Sequence, residues 1–354
     1  MRIGFSVPQF GPFADPHRSA AMCTALEALG CDSLWVADRL LSPLVPPDGY
    51  AGGKPMPSRY GTHLDPLLAL GAAAAATGRV RLGSSTLNAL WQPPLVLARS
   101  LTTLDLISRG RLDVGIGLGW MREEYEAAGV PWRGRGARLE ETLDVLEAVW
   151  RSGTVVHDGR LWRIAESTVL PQPLQRPRPP VLLGGFTPFA LERIGRRADG
   201  WLAAAMPVPH LRGLWAVAVE AAERAGRDPA VLRRVFRVNA EVTTAEAAAG
   251  ETHRRGTVRQ ICDHLRLMCT TDTDEVLVDL QLTTDSAEEY LALAAEFVTE
   301  LNEAAPGRTE ADRAAAYADE ASDADSCTSV ARPARAASAQ CGESQASATR
   351  TASR

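Results

Sequence analysis

Residues Val80–Leu118 read VRLGSSTLNALWQPPLVLARSLTTLDLISRGRLDVGIGL: a short β-rich run, a helix-patterned stretch that opens on prolines, and a second β-rich run. Val80–Thr86 and Leu112–Leu118 mostly lack a polar face, as expected of parallel strands covered on both sides. Pro93–Ser108 between them has the length of a helix, so the segment is one β-α-β unit. Outward from it the same unit recurs. Further strands are predicted at Arg2–Pro8, Ser33–Ala37, Val181–Gly184, Gly200–Ala203, Val235–Val242 and Glu275–Leu280, which brings the count in the first 304 residues to eight. Helices are predicted over Arg138–Trp150, where Leu139, Leu143, Leu146 and Val149 share a face, and over Pro188–Ala198, Pro209–Ala225, Thr257–Cys269 and Ser286–Leu301. Asp15-Pro16 and Asp65-Pro66 supply N-caps followed by proline at the first helical position, and Gly30 and Gly78 supply stops.

Eight parallel strands close into a (β/α)8 TIM barrel, whose active sites lie at the carboxyl ends of the strands. An open doubly wound sheet uses the same alternation but usually holds about five or six strands. The expected fold is therefore an α/β barrel over residues 1–303. Two connections exceed simple loops. Leu40–Leu64, rich in Gly and Pro, follows strand two on the active-site side and reads as a lid or substrate wall. Gly153–Pro180 reads as an insertion packed on the barrel, with a hairpin turning at His157-Asp158-Gly159.

Composition excludes several function classes. A net charge of −5 gives no basic footprint for nucleic acid. No run of about 18 apolar residues predicts a membrane span, and the amino terminus enters a strand without a signal-peptide pattern, so a cytoplasmic location is expected. The six cysteines form no CxxC pair and have no histidines at metal-ligand spacing, so they read as structural thiols and no metal is expected. Residues 304–354 are dominated by Ala, Ser, Thr, Arg, Asp and Glu, a composition expected to be disordered. HExxH, GxSxG and Walker motifs do not occur.

Candidate chemistry gathers at predicted strand ends. Asp38-Arg39 ends strand two, and Gly83-Ser84-Ser85-Thr86 ends strand three. Gly115-Ile-Gly-Leu-Gly-Trp120 misses the G-x-G-x-x-G dinucleotide spacing and is read equally as tight strand packing or as close ligand approach. Gly184-Gly185-Phe186-Thr187-Pro188 opens a helix with free N–H groups, suited to phosphate, although a plain βα turn uses the same residues. Glu123, Glu124 and Glu126 are expected on a solvated helical face. Phe10 and His63 are substrate-side candidates, with His63 closing the lid.

Taken together, IGFSVPQFG, ALEALGCDSLWVADRL, TGRVRLGSSTL, LARSLTTLDLISRGRLDVGIGLGWMREEYEAAGVPWRGRGARLEETLDVLEAVW and PQPLQRPRPPVLLGGFTPFALERIGRRADGWL resemble the luciferase-like monooxygenase superfamily, especially its deazaflavin (coenzyme F420)-dependent branch. The resemblance covers about Met1–Leu202 and continues more loosely to about Leu301. It implies a cytoplasmic oxidoreductase that holds F420, or alternatively FMN, at the barrel mouth and transfers a hydride to or from a small organic substrate. Dimers are common in the family, so a homodimer is implied. By position, Ser84, Ser85 and Thr86 would back the ring, often through a non-prolyl cis peptide. Gly117, Gly119, Trp120, Gly184, Gly185, Phe186 and Thr187 would wall the cofactor, and Asp38 and Arg39 would serve the reacting centre.

Two departures are notable. Arg39 stands where many F420-dependent members carry histidine, and a permanently protonated guanidinium is no general base but can stabilise an anion. Trp120 stands where sugar-phosphate dehydrogenase members carry glutamate. Two other readings remain: an FMN-dependent monooxygenase using reduced flavin and O2, and a non-catalytic flavin-binding relative.

Overall fold

Eight parallel strands close on themselves, because each apolar run pairs with its predecessor and the last pairs with the first. A computed structural model describes residues 2–45, 56–248, 252–269 and 274–302. In chain order the elements are β1 (Arg2–Ser6), α1 (Pro16–Ala28), β2 (Ser33–Val36), α2 (Pro66–Ala76), β3 (Arg81–Ser84), β4 (Leu87–Asn88), α3 (Pro94–Ile107), β5 (Leu112–Gly117), α4 (Arg122–Ala127), α5 (Arg135–Ser152), β6 (Thr154–Asp158), β7 (Arg163–Thr168), β8 (Val181–Gly184), α6 (Pro188–Arg197), β9 (Gly200–Ala204), α7 (Val208–Arg224), β10 (Arg233–Asn239), β11 (Glu241–Val242), β12 (Arg255–Gly256), α8 (Val258–Cys269), β13 (Glu275–Asp279) and α9 (Ala287–Asn302). The sheet runs β3-β2-β1-β13-β10-β9-β8-β5, and Leu82↔Leu112 and Gly83↔Asp113 pair β3 with β5 to close it. The short β4 extends strand three along β5, through Leu87↔Ile116 and Asn88↔Gly117.

The helix punctuation works as its chemistry requires at Asp15, Asp65 and Gly30 (φ +93°), whereas α2 ends on an extended Thr77 and Gly78 is not left-handed. Asp15 and Asp65 accept the N–H of Arg18 and Leu68, each at 2.9 Å, and cap α1 and α2. Leu139, Leu143, Leu146 and Val149 of α5 are buried. The insertion is a two-stranded antiparallel hairpin of β6 and β7, followed by a strap. The strap is tied near the amino end of β5, where Asp105 accepts from Leu174 N and Gln175 N and the Gln175 amide donates to Leu112 O at 2.6 Å. It lies away from the mouth.

Inside the barrel the strands interdigitate in layers. A Cβ on Gly4 would strike Ser33 Oγ at 2.2 Å, one on Gly83 would strike the Trp35 ring at 2.4 Å, and one on Gly115 would strike Ser84 O at 1.7 Å. These positions therefore face inward, and period two along each strand fixes the rest. The middle layer is apolar: Trp35, Leu182, Leu202, Val235 and Leu277 form their own buried cluster. Below it, at the amino ends, Asp113 binds Arg81 (2.6 Å) and Arg233 (2.8 Å), and Arg233 reaches Glu275 (3.3 Å). Glu275 also contacts Ser33 Oγ and the Trp35 indole N–H. This charged plug closes the amino end. Both Asp113 and Glu275 are fully buried, and the two guanidinium groups beside Asp113 hold its carboxyl below the ordinary carboxylate value against the opposing cost of burial.

Cys23, Cys31 and Cys262 are buried free thiols; desolvation pushes the first two up to about 12 and raises Cys262 well above the ordinary thiol value, so they are inert. Among the described residues no helix is long and apolar enough to cross a membrane. The expectation of disorder for 304–354, the middle of the Leu40–Leu64 loop, Cys327 and Cys341 all fall outside the described residues.

Candidate active site

The carboxyl ends of the strands present a third inward layer of Ser6, Ala37, Ser85, Gly117, Gly184, Ala204, Arg237 and Asp279, and the polar members converge. Arg237 donates from Nη1 to Ser85 O (2.7 Å) and from Nε to Asn239 Oδ1 (2.9 Å), and Nη2 pairs with Asp279. Gln281 donates to Asp279 Oδ1, and its own Oε1 accepts Gln9 N and Phe10 N at 2.6 and 2.9 Å. Gln9 in turn exchanges two 2.8 Å bonds with the Ala37 backbone. A hydrogen-bonded girdle thus runs from the end of β2 through β1, β13 and β10 to the end of β3. None of Arg237, Asp279, Gln281 or Gln9 was anticipated. An arginine inside a strand covered on both faces is itself a signal, since a buried charge requires partners.

Strand three ends as a ledge. The Ser85-Thr86 peptide is cis, as the family resemblance implied. The Ser84 hydroxyl is buried against β5, donating to Gly115 O (2.8 Å) and accepting from Gly115 N (3.0 Å). A Cβ on Gly117 would lie 2.3 Å from Thr86 Oγ1, and one on Gly184 would lie 3.2 Å from Thr86 Cγ2. Packing thus accounts for Gly115 and Gly117: they make room for the ledge. Gly119 adopts φ +60° in the following turn, and Asn88 Nδ2 donates to Leu118 O at 3.3 Å.

Asp38 and Arg39 do come together with the turn after β5. Asp38 Oδ2 accepts Asn88 N at 2.9 Å. Its carboxyl is pushed up to about 7, chiefly by desolvation and further by the nearby Glu124 and Asp65 carboxylates, while the Asn88 bond and Arg39 oppose the rise. Arg39 pairs with Glu124 Oε1 at 3.4 Å, touches Met121 Sδ at 3.9 Å, and lies 5.2 Å from the Trp120 ring and 5.9 Å from the Tyr60 ring. The expectation of a solvated Glu124 is corrected. It is 1% exposed, because α4 turns this carboxylate inward to hold Arg39 and accept Leu40 N at 2.9 Å. Desolvation raises the Glu124 carboxyl against the pull of Arg39.

The remaining candidates are dispersed around the rim. Phe10 is buried, pairs as a bridge with His63, and packs edge-on against Tyr60 at 5.1 Å, so it fastens the 56–64 segment to β1. His63 is partly buried, with Nδ1 3.2 Å from Tyr60 O. On the opposite side Thr187 caps α6 through Ala190 N, and Gly185 (φ +147°) has no room for a Cβ, which would meet Ala190 at 2.6 Å. Trp201 fixes that loop by donating to Gly185 O at 3.0 Å, and it packs against the half-exposed Phe186.

Comparison with known proteins places this geometry. The family model described as luciferase-like monooxygenase matches residues 3–339. An uncharacterised protein of Mycobacterium tuberculosis is 38% identical over 45% of this chain, and the match spans 59% of that relative's length. The oxygenase component of the flavin-dependent trigonelline monooxygenase of Acinetobacter baylyi is 36% identical over 36% of each chain. An F420-dependent glucose-6-phosphate dehydrogenase of Amycolatopsis mediterranei is 29% identical over 57% of each. Among solved structures, the monooxygenase RslO1 of Streptomyces bottropensis superposes with a TM-score of 0.71 over 85% of this chain and 98% of its own, at 22% identity. The relatives with named activities are oxidoreductases and monooxygenases, some using F420 and others a flavin.

Proposed function

The chain belongs to the luciferase-like monooxygenase family, and on that premise we propose that it is an F420-dependent oxidoreductase moving a hydride between the deazaflavin and a small organic substrate at the barrel mouth. The observation that carries this reading is Asp38: a carboxyl that burial pushes up to about 7, bonded to Asn88 N and set beside the Arg39–Glu124 pair at a strand's carboxyl end. The residues present suit a flat ring with polar edges. Ser6 Oγ, on the inward layer, is buried with no hydrogen-bond partner, and the Ser84–Thr86 ledge is braced from both sides. Gly117, Gly119, Trp120 and Gly184–Thr187 would wall the cofactor, and Phe10 and His63 would border the substrate.

When bound, the deazaflavin would supply the hydride-transfer chemistry. Asp38 manages the accompanying proton, donating it to a substrate oxygen as that oxygen gains negative charge, or removing it in the reverse direction. Arg39 cannot give up its proton. Held by Glu124, it stabilises the developing oxyanion as a preorganised charge. Trp120 and Tyr60 flank the guanidinium and limit its access to water.

The second reading, an FMN-dependent monooxygenase, is favoured by the relative named for flavin dependence. Titrating the protein with F420 and with FMN separates the two. Saturable binding of F420 supports the proposal, whereas micromolar FMN affinity with no response to F420 overturns it.

A further inference from the structure

Trp132, in the turn before α5, carries two guanidinium groups: Arg135 Cζ lies 3.8 Å and Arg122 Cζ 5.8 Å from its ring centroid. The indole is itself anchored edge-on against buried Tyr125 at 5.0 Å, and the Tyr125 hydroxyl donates to Leu118 O in the turn after β5. Arg135 Nη1 donates to Trp132 O at 3.4 Å. Among the described residues neither guanidinium has an acidic partner, although Glu123 and Glu126 stand on the same short helix as Arg122. By contrast, Arg193, Arg196 and Arg197 of α6 share Glu140, and Arg39 after β2 has Glu124. Two like charges gathered on one rigid indole without a counterion form a seat for an anion. Planar guanidinium groups engage phosphate and carboxylate oxygens in bidentate fashion.

The position of this seat narrows its occupant. Arg122 directly follows Met121, whose sulfur touches Arg39, so the seat adjoins the mouth. Gly136, the residue after Arg135, accepts from Arg193 of α6 at 3.4 Å, which puts the seat beside the unit that begins at Gly184–Thr187. We propose that Arg122 and Arg135, stacked on Trp132, hold the anionic tail of the cofactor where it leaves the barrel. This inference rests on the deazaflavin reading above and deepens it. F420 continues beyond its ribityl phosphate as a phosphodiester-linked chain of carboxylates, whereas FMN ends at the phosphate. The seat is therefore a determinant of selectivity for the long-tailed cofactor.

The test is a set of fluorescence and absorbance binding titrations at several salt concentrations, with three probes. They are F420 with its glutamate tail, the deazaflavin nucleoside that lacks phosphate and tail, and FMN. Each is measured on the wild type and on Arg122→Ala/Arg135→Ala, with Arg122→Gln/Arg135→Gln as a second variant and thermal melts to establish folding. The expected result is F420 affinity reduced about tenfold or more in both variants, a loss of about 1.4 kcal/mol per tenfold. Nucleoside affinity is expected to stay unchanged, and the salt dependence of F420 binding to flatten. A folded variant that holds F420 as tightly as the wild type overturns the seat and leaves the deazaflavin reading intact. A wild type that binds the nucleoside as well as F420 does the same. If neither deazaflavin probe binds, both readings fall.

Discussion

At the scale of single residues, Asp38 sets the expected pH behaviour. Its carboxyl titrates near 7, so the protonated form that can donate to a substrate oxygen dominates below about 7 and is lost above it. Substrate reduction is expected to slow as pH rises through that value. Asp38→Asn is expected to abolish both the inflection and most of the rate, read by stopped-flow oxidation of the reduced, cofactor-loaded protein with carbonyl and enoyl substrates. An unchanged pH profile in that variant assigns the proton to another group. The stability sign follows from the same shift. A carboxyl raised in the folded state supports folding while protonated, and that support is lost as pH climbs from its ordinary value toward 7. Asp38→Asn should therefore melt higher than the wild type well above neutrality. Asp38 and Arg39 were singled out because a charged pair stood where a barrel keeps its working groups, and the structure sets both at the end of β2, against Asn88 and Glu124. Glu124 was misread because helical periodicity in MREEYEA cannot say which of three acids a six-residue helix turns inward; the position of β2's end decides that.

At the scale of elements, the ledge on strand three is held by complementary absences. Gly117 and Gly184 lack side chains so that Thr86 can fill the space, and Ser84 replaces a strand-to-strand bond with its hydroxyl. Gly117→Ala is expected to cost about 1–3 kcal/mol through overpacking and to weaken cofactor binding, read by chemical denaturation and titration. Adding Thr86→Ala should recover much of the stability, since the 2.3 Å contact is with Oγ1. Two additive losses would show that Thr86 is not what the glycine accommodates. The Gly-x-Gly spacing in Gly115–Gly117 was ambiguous in sequence because close packing and ligand approach demand the same missing Cβ. The neighbour across the strand pair resolves it. The girdle from Gln9 to Arg237 lay beyond the reach of sequence for a different reason. Its members stand at the ends of four strands and meet only once the sheet closes.

At the scale of the whole molecule, the barrel was legible from eight short runs, because only closure shields so many strands on both faces. Its charged floor was not. Arg81, Asp113, Arg233 and Glu275 are scattered over nearly two hundred residues and share only their place at the start of a strand. Asp113→Asn leaves the partly exposed Arg81 without its ion pair and Arg233 with Glu275 alone, and is expected to cost about 1–3 kcal/mol. Because the folded carboxyl titrates below its ordinary value of 3.8, the stability it contributes is complete above that value and disappears as acid carries the pH down through the folded pKa. Acid unfolding curves of wild type and variant should converge at low pH, and parallel curves would refute the assignment. Above that floor the barrel is filled by Trp35, Leu182, Leu202, Val235 and Leu277, so no passage runs along its axis. Whatever molecule this fold receives is confined to the rim at the far end, and a substitution in the floor should alter melting without altering which molecules bind.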